Sequence, residues 1–380
     1  MKVMAAPAGY EGIGDMKAAG STGPGAGCEI LTRPLPKATP GTCVVRVDAV
    51  GLNPTDWKHV GRGMHYYSVT KATPANPVIL GSEGCGTIEN ASEGSSFQNG
   101  QQVWFLSPKT CAEFASVKLE NMAPAPTQMT MEAKAATPLA LLTAYQCMKD
   151  AGYSTEGCGK GKSILVHAGA GGVGHFAIQL AKIYGFERIA TTCSSKNNDF
   201  VKELGATETV DYREEDFVSK YANAKFDVVV DPVGGEPVGY CCGATNTLAQ
   251  YTPRSRKVTK TSGAVVGIIT ETTLEGPCGI CPSLCCSCLP AFCAYKCCGA
   301  CGCAPKYVGP FFLRGHQAGT DLRILTEWVD RGLLKTEVSQ TFTFDDAPKA
   351  LSALEDAGGH NTKKVDGKAP FRGKIVIKVS

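Results

Sequence analysis

Residues 41–51 alternate polar and apolar positions at period two, which predicts a half-buried strand. Short apolar runs between Gly- and Pro-rich turns continue to about Pro126, among them Val78-Ile79-Leu80 and Val103-Trp104-Phe105-Leu106, and this texture predicts a compact β-rich first domain. From Met131 the pattern changes. Thr137–Met148 reads as a helix, and Ser163–His167 is a continuous apolar run of the kind buried in a parallel sheet. Val173, Phe176, Ala177, Leu180, Ala181 and Tyr184 then follow at helical spacing. Arg188–Thr192 predicts a second strand, Asp199–Leu204 a helix closed by Gly205, and Phe226–Asp231 and Gly263–Thr270 further buried strands. The tail carries an amphipathic helix with Leu322, Leu325 and Val329, a second around Ala347–Leu354, and a last strand at Lys374–Val379. The rhythm predicts an α/β fold with a doubly wound parallel sheet beside a β-rich domain.

A length of 380 residues suits two domains, each able to bury its own core. Hydrophobic residues make up 43% and charged residues 19%, which excludes a coiled coil and a largely disordered chain. The net charge of +3 leaves no electrostatic footprint for nucleic acid. No apolar run reaches bilayer-spanning length; Ala136–Tyr145 and Leu284–Tyr295 are too short. Residues 1–15 carry one Lys, no Arg and two acids, unlike a signal or transit peptide. The expectation is therefore a cytoplasmic, reducing compartment, with mitochondrial or plastid import as the alternative.

Gly169-Ala170-Gly171-Gly172-Val173-Gly174 fits G-x-G-x-x-G with an extra central glycine. Glycines here allow a tight turn and close approach to a pyrophosphate, and the following helix aims amides and its positive dipole end at it. The motif follows a predicted buried strand and opens a predicted amphipathic helix, the context that gives it meaning. About 20 residues on, where an NAD-binding fold places an acid, the chain reads Cys193-Ser194-Ser195-Lys196-Asn197, with no acid before Asp199. Hydroxyls and a lysine suit a 2′-phosphate, so the expected cofactor is NADPH; the competing reading is a capping serine pair beside a solvated lysine.

Gly51-Leu52-Asn53-Pro54-Thr55-Asp56-Trp57-Lys58, Gly81-Ser82-Glu83-Gly84-Cys85-Gly86, Thr143-Ala144-Tyr145 and the glycine-rich loop occur together in this order. In this the chain resembles the zinc-independent medium-chain dehydrogenases/reductases: quinone oxidoreductases, enoyl reductases and reticulon-4-interacting-protein homologues. The resemblance runs from about Met16 to the C-terminus. It implies a GroES-like catalytic domain built from both chain ends (residues 1–138 and 313–380) with a Rossmann domain (139–312) inserted between them. Homodimers are frequent among such enzymes, so a homodimer is expected.

The same resemblance implies hydride transfer to a quinone or an α,β-unsaturated carbonyl. An enoyl thioester on coenzyme A or a carrier is one alternative; dinucleotide binding for interaction or regulation, with little turnover, is another. Asn53, Lys58, Tyr66 and Tyr67 fall near the segment that faces the nicotinamide in relatives: an Asn amide can orient, and Lys or Tyr can donate a proton. Asn53-Pro54 is also a natural turn pair, and the tyrosines also suit simple packing. Thr143 resembles the threonine at the nicotinamide end, and Gly267, ending a buried strand, would let the ring approach. Where zinc-dependent relatives carry ligands, the chain has Asn53 and Ser82, no cysteine in Pro138–Leu142, and one cysteine in Ser107–Cys111; only Glu83 remains, so no catalytic zinc is expected and no metal-ligating residue is assigned. His59, His65, His175 and His316 have no ligand-like spacing.

Ten of the 19 cysteines lie between Cys278 and Cys303, with three C-x-x-C pairs. Three readings stand for this insertion: a tolerated loop of thiols, a zinc or iron–sulfur site, and S-acylation, which would supply membrane contact.

Overall fold

The computed structural model describes residues 14–62, 71–234, 251–268, 305–311, 313–357 and 371–380. They form two units, one from residues up to Leu142 together with Arg314–Ser380, the other Thr143–Leu313. Tyr66, Tyr67 and the cysteine-rich insertion lie outside the described residues.

The first unit opens with β1 (Asp15–Ser21), β2 (Glu29–Pro34), β3 (Thr42–Leu52), α1 (Pro54–Arg62), β4 (Val78–Ile79), β5 (Glu83–Ala91), β6 (Gln102–Leu106), β7 (Phe114–Lys118), β8 (Met122–Pro124), α2 (Met131–Ala136) and the start of α3 (Pro138–Asp150). The second holds β9 (Ser163–Val166), α4 (Gly172–Ile183), β10 (Arg188–Cys193), α5 (Asn198–Leu204), β11 (Glu208–Asp211), α6 (Phe217–Lys220), β12 (Phe226–Asp231), α7 (Tyr251–Ser255), β13 (Thr259–Ile268) and β14 (Lys306–Phe311). The chain then returns to the first unit as α8 (Ala318–Asp330), β15 (Val338–Thr343), α9 (Ala347–Ala357) and β16 (Lys374–Lys378).

In the first unit, β2-β1-β4 make a small antiparallel sheet. A larger one runs β15-β16-β3-β5-β6-β8, with β7 also on β3. The last strand pairs antiparallel with β3, Ile377 opposite Val50, so the two chain ends build one sheet. Val45, Val47, Val50, Leu52, Leu80, Ile375 and Ile377 form its core with Leu351 and Leu354 of α9. β3 corrects the half-buried expectation: every residue but Thr42 and Arg46 is buried. The strand is central, flanked by β5, β7 and β16 and covered by α2. Its polar positions are tolerated because Arg46 Nε donates to Glu89 Oε1 at 2.8 Å and Arg46 Nη1 to Asp48 Oδ1 at 3.3 Å. The helix expected at 137–148 is α3, which Pro138 opens, where its missing N–H costs nothing; a separate short helix, α2, precedes it and stops before Thr137.

The second unit is a parallel six-stranded sheet in the order β11-β10-β9-β12-β13-β14. Counted from β9, that is the 3-2-1-4-5-6 order of a doubly wound dinucleotide-binding fold. The strands read as continuous apolar runs because both faces are covered; β9 and β12 are buried throughout. The order of strand addition reverses between β9 and β12, so the crevice of such a sheet opens at the carboxyl end of β9.

Candidate functional site

The glycine-rich loop leaves β9 at that end. Ala168 turns through φ 51°, a left-handed conformation that costs a residue with a Cβ roughly 1–2 kcal/mol. Three contacts hold it: Ala168 N–H donates to Thr192 Oγ1 at 3.0 Å, Gly169 N–H to Thr192 O at 3.0 Å, and Gly171 N–H to Ala168 O at 2.9 Å. A Cβ on Gly169 would stand 2.0 Å from Thr191 Oγ1, and one on Gly174 2.1 Å from Ala168 O, so both glycines are required by packing. Gly171 differs. A Cβ there would meet only Ala168, at 3.2 Å, so its outer side is open. α4 begins at Gly172, and the amides of Gly172, Val173 and Gly174 have no carbonyl partner within the helix. The helix end thus presents a cradle of N–H donors beside the open side of Gly171. That fits a pyrophosphate.

His167, between β9 and the loop, is fully buried. Burial, and then the Arg254 charge, push its imidazole from 6.5 down to about 3, so it is neutral in the folded chain. The unfolded chain takes up a proton near its ordinary value of 6.5, so this contribution to stability is complete above that pH and is lost as pH falls toward 3. Between about pH 7.5 and about pH 5.5 the loss is ~1.4 kcal/mol. Denaturation followed by circular dichroism should show this dependence in the parent chain, reduced by that amount in His167→Phe.

At the end of β10, Ser194 and Asn197 are buried while Ser195 and Lys196 are exposed. Asn197 Nδ2 donates to Ser194 Oγ at 3.4 Å, and Asn197 Oδ1 is buried with no partner among the described residues. Ser194 and Asn197 stand at the N-caps of two short helices, and neither makes a capping bond with its side chain. The sequence did not flag Asp211 on β11, whose Oδ2 accepts the Ser195 N–H at 2.7 Å. Amide donation from Arg213 and Ser195 holds the Asp211 carboxyl below the usual carboxylate range. Asp211 thus engages both the amide and the hydroxyl of Ser195 and sets a fixed negative charge beside it. A cavity of about 230 Å³ adjoins this point, lined by Thr192, Tyr212, Phe217 and Tyr251, by the basic Arg213 and Arg254, and by the acidic Glu214, Glu215 and Asp216. Tyr212, directly after β11, is 52% exposed there. Thr143 is buried in α3, and Gly267 is buried in β13 opposite Asp231.

In the first unit, Asn53 follows β3 and is buried. Its Nδ2 donates to Glu83 Oε1 at 2.6 Å and to Gly51 O at 3.3 Å, and its Oδ1 accepts from Lys374 Nζ. Lys374, opening β16, donates also to Glu83 Oε1 and to Leu52 O, both at 2.8 Å. Glu83 Oε2 accepts the Leu139 N–H at 2.7 Å in the first turn of α3, where a carboxylate is favoured. Asn53 is thus a structural clasp, with only one acceptor lone pair left for a ligand. Lys58 is buried on α1, its ammonium 5.6 Å from the Trp57 ring centroid. As a metal site the donor set is poor. Asn53 is engaged, both Glu83 oxygens are taken, and no group of three or more His, Cys, Asp or Glu that could hold a metal ion occurs among the described residues.

Residues 39–177 match the family described as alcohol dehydrogenase GroES-like domain, and 204–363 the one described as zinc-binding dehydrogenase. A chloroplast envelope quinone oxidoreductase homolog of Arabidopsis thaliana is 33% identical over 57% of this chain and 66% of its own length. The mitochondrial NAD(P)H oxidoreductase RTN4IP1 of Danio rerio is 28% identical over 90% of this chain and 84% of its own. The solved quinone oxidoreductase of Coxiella burnetii superposes with a TM-score of 0.73 at 26% identity, covering 97% of this chain and all of that one. With the sheet order, the glycine cradle and the shared two-ended unit, these matches establish that the chain belongs to the medium-chain dehydrogenase/reductase superfamily.

Proposed function

We propose that this chain is a zinc-independent, NADPH-dependent reductase of quinones or α,β-unsaturated carbonyls. The observation that carries the reading is the open N–H cradle at the carboxyl end of β9, opening α4 in a 3-2-1-4-5-6 sheet. The Arabidopsis and Coxiella relatives, both named as quinone oxidoreductases, support the acceptor class. Zinc independence rests on the engaged Asn53 and Glu83, with Ser82 beside them.

NADPH, when bound, supplies the hydride. The amides of Gly172, Val173 and Gly174 would neutralise its pyrophosphate, and the hydroxyls of Ser194 and Ser195 with the Lys196 ammonium would hold the 2′-phosphate. Asn197, with its unpaired Oδ1, would accept a hydroxyl proton nearby. Thr143 and Gly267 are assigned to the nicotinamide end. Negative charge building on the acceptor's carbonyl oxygen requires a donor, and Lys58, Tyr66 and Tyr67 are the proposed sources of the proton. Among the described residues no helix is long and apolar enough to cross a membrane. The RTN4IP1 relative is named as mitochondrial, which supports the organellar alternative for this chain.

Equilibrium titration of the cofactor's own fluorescence tests this reading. Tighter binding of NADPH than NADH is expected, and Lys196→Ala should weaken NADPH about tenfold while leaving NADH within about twofold. A parent chain that prefers NADH would contradict the 2′-phosphate assignment and leave Asp211 as the dominant charge there.

A further inference from the structure

We propose that His167 is a positioning residue for the dinucleotide cradle: wedged between Thr192 and Ser255, it orients the Thr192 hydroxyl that fixes the left-handed turn at Ala168. The proposal rests on the NADPH reading above and deepens it.

The short Ser255 contact to a carbonyl sets the assignment we propose along the hydrogen-bond chain. Ser255 Oγ donates to Tyr251 O at 2.7 Å, so toward His167 Nε2, 2.9 Å away, it acts as acceptor and Nε2 carries the proton. His167 Nδ1 then accepts from the Thr192 hydroxyl at 3.3 Å. With its proton directed at the ring, Thr192 Oγ1 presents lone pairs to the Ala168 N–H at 3.0 Å. The imidazole, neutral through burial, can play acceptor and donor at once, which an imidazolium cannot.

The same ring also braces the neighbouring cavity. It meets Phe217 edge-on at 4.6 Å and Tyr251 at 4.8 Å between centroids, and those two rings, stacked 7° from parallel, line the cavity beside Ser194–Asn197. One buried side chain therefore supports both the turn that leads into the helix-end amides and the aromatic wall next to the expected 2′-phosphate position. Filling the core alone would need a ring there, without two nitrogens each matched to a hydroxyl.

The test titrates NADPH and NADH, by cofactor fluorescence, into the full parent chain, His167→Phe, His167→Gln and Ser255→Ala, with kcat and KM measured for each nucleotide. Phe keeps a ring against Phe217 and Tyr251 and loses both polar contacts; Gln keeps an acceptor and a donor. NADPH affinity should fall at least ~10-fold in His167→Phe, recover to within ~3-fold of the parent in His167→Gln, and lie between them in Ser255→Ala, with kcat at saturating nucleotide little changed. A merely structural role would lower thermal stability in the same variants yet leave nucleotide affinity of the folded protein unaltered. His167→Phe binding within ~2-fold of the parent overturns the proposal. If that variant does not fold, Ser255→Ala decides, and unaltered affinity there overturns it equally. A parent that binds neither nucleotide overturns the cofactor reading and this proposal together, whereas a parent that binds well beside an equally tight His167→Phe overturns this proposal alone.

Discussion

Replacing Lys374 with methionine is expected to destabilise the first unit by about 3–5 kcal/mol. The ammonium makes three bonds, to Leu52 O, Asn53 Oδ1 and Glu83 Oε1, in a place where the Lys374 and Glu83 side chains are 4% and 0% exposed. Removing it leaves the Glu83 charge buried with only amide donors and strands the Asn53 oxygen. Glu83→Gln should cost less, since a Gln oxygen can still accept the Leu139 N–H, but its NH₂ would face the ammonium. In the double variant the two losses should not add, because the second change removes the charge that the first left unpaired. All three tryptophans, Trp57, Trp104 and Trp328, belong to this unit, so urea denaturation followed by their fluorescence reads its stability without the other. A cost below about 1 kcal/mol for Lys374→Met would mean the ion pair is not the clasp described.

Alanine substitution of two glycines in the loop should separate packing from ligand contact. In Gly174→Ala the new methyl would lie 2.1 Å from a backbone oxygen, Ala168 O, with no flexible side chain to yield. Loop and helix must part, and NADPH affinity should fall about 100-fold (~2.7 kcal/mol) with a lower thermal midpoint. Gly171→Ala meets the protein only at 3.2 Å, and its backbone at φ −82° suits alanine, so stability should change by no more than about 1 kcal/mol. Its methyl would nevertheless occupy the open side of the cradle, and NADPH affinity should fall about tenfold. Calorimetric titration beside thermal denaturation checks both. Unchanged affinity in Gly171→Ala would mean that no phosphate rests on that side of the loop.

The parallel sheet was legible because strands buried on both faces must be apolar throughout, as Ser163–Val166 and Phe226–Asp231 nearly are. The loop was legible because its glycines fall between such a strand and an amphipathic helix. β3 misled, because Arg46 and Asp48 made a central strand look half-solvated, and only Glu89 on the neighbouring strand reveals how they are accommodated. The clasp was beyond reach for a related reason. Lys374 lies 291 residues from Glu83 and 321 from Asn53, and a lysine opening a terminal strand reads as solvated until the fold delivers its partners. Asp211 was hidden likewise, 16 residues from the Ser195 amide it accepts from and on another strand. His167 passed unremarked as the last residue of an apolar run, where spacing carries no sign of the two hydroxyls the fold sets against its ring.

The most direct test of the central claim is oxidation of NADPH by the purified full chain, with an ortho-quinone and a short enal as parallel acceptors and NADH as the control. The account predicts turnover with NADPH, little with NADH, and no dependence on added zinc or on prior treatment with a chelator. No turnover with either acceptor at saturating NADPH, or turnover that a chelator abolishes and zinc restores, would contradict it.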